Sequence, residues 1–125
     1  MSEQQTTVFI EIPPDVIQQE VWEVEQQLNL VETVNTELHE PKDIVTSTTL
    51  VVHIAIVAAA TVTTLAAGSK TVYDVAKILF NFLHRMNKEQ AIQEAKKKVI
   101  LVKKGKRVEL YNLSTEEIAR ILREQ

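Results

Sequence analysis

Residues 50–68 read LVVHIAIVAAATVTTLAAG and contain no Asp, Glu, Lys or Arg. A run of this length without charge has to be withdrawn from water, either into lipid or against other protein, and this constrains the chain more than any other feature. As a helix it would measure roughly 28 Å, near the roughly 30 Å hydrocarbon thickness of a bilayer. Its content argues for protein contact, because alanine and threonine contribute little transfer energy. The lysine excess downstream would also place the C-terminal part in the cytoplasm, so that the acidic N-terminal part would have to cross. Two sets of small residues, Ala60, Thr64 and Gly68, and Ala59, Thr63 and Ala67, stand four apart and form ridges that let a second helix approach closely. The sequence predicts a central apolar helical region over about 44–86. Helix packing and membrane insertion stand as the two readings of its first half.

The downstream half, TVYDVAKILFNFLHRM, is amphipathic. Val72, Val75, Leu79, Phe82, Leu83 and Met86 recur at helical spacing, with Asp74, Lys77, Asn81 and Arg85 opposite. Gly68 costs only about 1 kcal/mol within a helix, so local propensity leaves open whether one rod or two span 50–86.

On either side the pattern changes. TVFIEI, residues 7–12, alternates as a strand, with Val8, Ile10 and Ile12 on one side. Pro13 and Pro14 end it, and Asp15 is placed to cap a helix whose stripe is Ile17, Val21, Val24 and Leu28. Glu20, Glu23 and Glu25 fall on the expected wet side, and Trp22 flanks the stripe as a packing residue. VETVNTEL, residues 31–38, predicts a second strand, followed by a linker from His39 to Lys42. Beyond the helical region, NKEQAIQEAKKK predicts a polar surface helix whose lysines are solvated. Val99 to Val102 and Val108 to Leu110 predict a hairpin turning at Gly105, and Ser114 with Glu117 forms a capping box for a terminal helix buried through Ile118, Ile121 and Leu122. Leu113 and Ile118 stand as its hydrophobic staple. The order is strand, helix, strand, long helical region, hairpin and helix: an α+β fold in one domain, 1–125, with a small sheet packed on helices.

The chain of 125 residues has no cysteine, which removes disulfides, thiolate zinc sites and thiol nucleophiles and accords with a cytoplasmic protein. Inner-membrane association is the alternative that insertion of 50–68 would bring. MSEQQTTVFIEIPPD has neither the basic nor the apolar region of a signal peptide, so secretion is not expected. Charge is divided: residues 1–49 hold ten acidic side chains and Lys42 alone, a balance of −9, and residues 50–125 hold thirteen basic and seven acidic, +6. Complementary surfaces for protein association account for such a split, whereas a sequence pI of 5.6 fails the first test for a nucleic-acid binder.

Motifs that carry chemistry are missing. His39, His53 and His84 lack a second ligand at i+3 or i+4, and two glycines cannot build a phosphate loop, so no catalytic residue, metal or cofactor is expected. Lys103, Lys104, Lys106 and Arg107 form a basic patch at the hairpin tip, but single-strand binders add stacking aromatics and only Tyr111 is near.

The opening VFIEI with PPDVIQQEVWEVEQQLNLVETV, the apolar region ending in VYDVAKILFNFLHR, and the closing KVILVKKGKRVELYNLSTEEIARIL together resemble the bacterial effector-associated constant component domains of conflict systems. The resemblance covers most of the chain as an order of elements. The polar insert NKEQAIQEAKKK and the threonine-rich region depart from it. It implies a non-enzymatic, self-associating adaptor that recruits or restrains an effector such as a caspase-like or trypsin-like peptidase. A link to a sensor or NTPase component in anti-phage defence is implied as well. A membrane-inserting effector acting through 50–68 is the alternative.

Overall fold

The computed structural model describes residues 2–16, 18–40, 47–58, 62–85 and 89–124. Five strands form one antiparallel sheet in the order β2-β3-β1-β4-β5, accompanied by four helices. The strands are β1 (Ser2–Ile12), β2 (Val34–His39), β3 (Thr48–Ala58), β4 (Ile100–Lys103) and β5 (Lys106–Glu109); the helices are α1 (Gln18–Asn29), α2 (Val62–His84), α3 (Gln90–Lys96) and α4 (Thr115–Arg123). This is an α+β fold, as the element order predicts.

Alternation in β1 works as its sequence requires. Val8, Ile10 and Ile12 are buried and join Leu50, Val52 and Ile54 of β3 and Leu101 of β4 beneath the helices. Helix α1 contributes Val21, Val24 and Leu28; α2 contributes Val72, Val75, Leu79, Phe82 and Leu83; α4 contributes Ile118, Ala119 and Leu122. Met86, expected in the α2 stripe, and Ile17, expected in that of α1, lie outside the described residues. α1 starts at Gln18, later than a cap at Asp15 would place it, because Asp15 lies in a turn in which the Val16 N–H bonds the Pro13 carbonyl. β2 begins at Val34, after a turn in which Thr33 takes a positive φ of 67°, and it includes His39 instead of leaving it to a linker.

The largest correction concerns the charge-free run. Its first part, through Ala58, is β3, so the helical region does not begin near residue 44; the helix starts at Val62. β3 pairs with β1 along its whole length and with β2 from Thr49 to Ile54, and alternation buries Leu50, Val52 and Ile54 while Val51, His53 and Ala55 take the other face. A short apolar run has no periodicity that distinguishes a buried strand from a buried helix; the Val and Ile enrichment of LVVHIAIV was the signal for a strand. α2 then runs unbroken through Gly68, as one rod. Among the described residues no helix is long and apolar enough to cross a membrane. The insertion reading of 50–68 therefore loses the helix it required.

Candidate functional site

At the hairpin, Lys104 and Gly105 have φ of 51° and 81°, the two positive values of a type I′ turn, whose twist matches that of the strands it joins. β5 leaves this turn as the outer strand of the sheet. Lys103 is opposite Lys106, and Leu101 opposite Val108, so Lys103, Lys106 and Val108 share the helix-side face. The end of α4 lies against that face. Between them is a cavity of about 130 Å³ lined by Lys103, Lys104, Lys106, Val108, Ile121 and Glu124.

Three of the four residues of the expected basic patch are thereby gathered into one pocket. Arg107 is not among them: it faces the opposite side of the sheet, where its guanidinium donates two bonds to the Glu11 carboxylate, at 2.7 and 3.0 Å. Lys103 is also unlike its neighbours. It is buried, and its ammonium donates to the carbonyls of Ile121 (2.8 Å), Leu122 (3.0 Å) and Glu124, capping the negative end of α4. Burial lowers its pKa, the adjacent charge of Lys104 lowers it further, and the Glu124 carboxylate opposes both. Lys104 and Lys106 are exposed at the mouth of this cavity, whose aliphatic lining is Val108 and Ile121.

On the open face of the sheet, the His53 ring bridges three strands. With Nε2–H donating to Glu37 at 3.0 Å, Nδ1 accepts from the Thr7 hydroxyl at 2.9 Å. Sequence spacing hid this line, because the residues are far apart in the chain and meet only through strand pairing. The hydrogen bond from His53 lowers the Glu37 pKa. His84 is remote from it, stacked on Tyr111 and tilted against Phe80, with Nε2–H donating to the Tyr111 carbonyl at 3.0 Å. His39 ends β2. Among the described residues no group of His, Asp and Glu side chains converges to hold a metal ion.

Two charged residues expected in water are inside. Lys96 is fully buried and donates to Glu20 Oε1 and to the Arg85 carbonyl, both at 3.0 Å, with its ammonium 5.5 Å from the centre of the Phe82 ring. Glu20, on the expected solvent side of α1, is 8% exposed. α3 supplies the reason: Ile92, Ala95 and Lys96, at i, i+3 and i+4, form its buried stripe, so Lys96 belongs to the apolar face of a short helix. That spacing was the available signal. Trp22 sits at the rim, 48% exposed, with Nε1–H donating to Glu40 at 3.1 Å.

Of the two small-residue ridges, Ala59 and Ala60 lie outside the described residues, while positions 63, 64, 67 and 68 are all within α2. No family model, no curated protein and no solved structure matches the chain.

Proposed function

We propose that this chain is a non-enzymatic adaptor or regulatory component of a bacterial anti-phage system. It recruits or restrains an effector such as a caspase-like or trypsin-like peptidase and connects it to a sensor or NTPase component. The observation that carries this reading is the hairpin pocket, where the exposed Lys104 and Lys106 stand beside an aliphatic lining and the buried Lys103 is occupied by backbone carbonyls. Such a lining suits the holding of a polypeptide. The resemblance supplies the class of partner. Self-association along α2, where Thr63 and Ala67, and Thr64 and Gly68, stand one turn apart, belongs to the same proposal, as does a cytoplasmic location, which the lack of cysteine supports.

Co-expression with a caspase-like or trypsin-like peptidase of a conflict system, the partner that the resemblance implies, followed by light scattering on the purified material, tests the reading. A stoichiometric complex in which peptidase turnover is altered is the expected result. Recovery of the two chains apart, or substrate turnover by this chain alone, would overturn it. Thr64→Leu and Gly68→Leu are expected to lower the oligomer mass; an unchanged mass removes the ridge from the proposal.

A further inference from the structure

The two outer strands of the sheet are finished differently. On β2 the outward N–H at the middle of the strand is taken by a side chain: Asn29 Oδ1 accepts the Thr36 N–H at 3.1 Å, and Asn29 Nδ2 donates to Thr36 Oγ1 at 2.8 Å. On β5 no described segment pairs with the outward side. The ladder fixes which groups this leaves. In a two-residue hairpin the pair next to the turn, Lys103 and Lys106, exchanges both bonds, and alternation then gives Leu101 and Val108 the next bonded pair. The Leu110 N–H bonding the Val99 carbonyl continues that alternation. The N–H and C=O groups of Arg107 and Glu109 therefore point away from β4. An unpaired edge of this kind is a template for another strand.

Resting on the adaptor reading, we propose that the outer edge of β5 receives an extended strand from a partner protein, in which a carboxylate stands two residues from an aliphatic side chain. Main-chain bonds to Arg107 and Glu109 supply affinity in strand addition, and pockets for alternate side chains supply specificity. Lys106 and Val108 are two residues apart on the helix-side face, so the partner residues opposite them are two apart on the same face. The one facing Lys106, with Lys104 beside it in the turn, meets positive charge and is acidic. The one facing Val108 enters the cavity against Ile121 and is aliphatic; about 130 Å³ is room for a single such side chain. Glu124 at the cavity wall repels a carboxylate there and so fixes the order of the two. A second copy of this chain is a poor occupant, because its own acidic outer strand, β2, already has Thr36 bonded to Asn29.

The probe is a fluorescent heptapeptide with leucine at its third position and glutamate at its fifth in a threonine background, the order that antiparallel pairing sets opposite Val108 and Lys106, followed by anisotropy. Saturable binding to the intact chain is expected, weakened at least ten-fold when the residue between them, which faces Arg107, is N-methylated. Lys106→Glu is expected to weaken binding at least ten-fold and to recover it with a peptide carrying lysine in place of the glutamate. Glu109→Pro removes an outward N–H without touching the β4 ladder and is expected to reduce binding with an unchanged circular dichroism spectrum. Absence of binding by the parent peptide, equal binding of the N-methylated peptide, or failure of the charge swap would each overturn the proposal. So would self-association abolished by Lys106→Glu, which assigns the edge to a second copy. A chain that complexes the peptidase but ignores the peptide keeps the adaptor reading and loses this edge. Peptide binding without a peptidase complex does the reverse.

Discussion

Lys96 and Lys103 both stand in lysine-rich runs, and both are buried, but by different means. Lys96 is held by a full counter-charge, Glu20, with one carbonyl and one aromatic ring completing its surroundings. Lys103 has no carboxylate hydrogen-bonded to it and is held by three carbonyls at the end of α4. The first links α3 to α1 across 76 residues of sequence; the second fixes the hairpin to the helix that completes its pocket. A buried ammonium thus tolerates either one opposite charge or several aligned dipoles, and the two solutions fail differently when the lysine is removed.

Lys96→Met is expected to be the most damaging change. It leaves Glu20 buried without its cation, with one carboxylate oxygen already lacking a hydrogen bond, and costs about 3–5 kcal/mol by urea denaturation. Adding Glu20→Met should recover most of that loss, because two apolar side chains replace a pair whose desolvation was costly. If the double variant is no better than the single, the pair is not what holds this corner. Lys103→Met removes a charged donor but strands no opposite charge, so about 2 kcal/mol is expected, with α4 the first element to lose amide protection in hydrogen exchange. A cost equal to that of Lys96→Met would mean that the two lysines are held in the same way.

Ser114→Ala at the opposite end of α4 provides a neutral reference. Its hydroxyl accepts the Glu117 N–H while Glu117 accepts the Ser114 N–H, each at 3.1 Å, and loss of this box should cost about 1 kcal/mol. The smallest effect belongs to the solvent-exposed Glu37. Its carboxylate is favoured in the folded state by the bond from His53, so this contribution is complete above the ordinary glutamate pKa and fades as pH falls through the lowered value. His53→Gln should return the Glu37 midpoint, followed by NMR, toward the ordinary range and flatten the acid limb of stability. An unmoved midpoint would dissociate the two groups.

Local signals were reliable where one short segment contains its whole cause. Ser114 and Glu117 stand at capping-box spacing, Gly105 permits the turn, and Val8, Ile10 and Ile12 alternate, each readable without knowing the neighbours. Residues 50–58 were not, because an apolar run satisfies a buried strand and a buried helix equally and only its partners, β1 and β2, decide. The pocket was half legible: four basic residues announced themselves, but strand alternation sent Arg107 to Glu11 and Lys103 into the end of α4.

By itself, then, the sequence determined an α+β chain, its hairpin, its capped terminal helix and the apolar stripes of β1, α1 and α2, since these follow from backbone propensity and side-chain period within a few residues. The tertiary structure alone decided that the charge-free run divides into a central strand and a helix, and that Lys96 and Glu20 are internal. It also decided that Asn29 takes the Thr36 N–H on one edge of the sheet, while no described segment pairs with the other edge, beside a basic pocket. Each of those outcomes depends on groups distant in sequence coming within hydrogen-bond or packing range, a distance that no local pattern encodes.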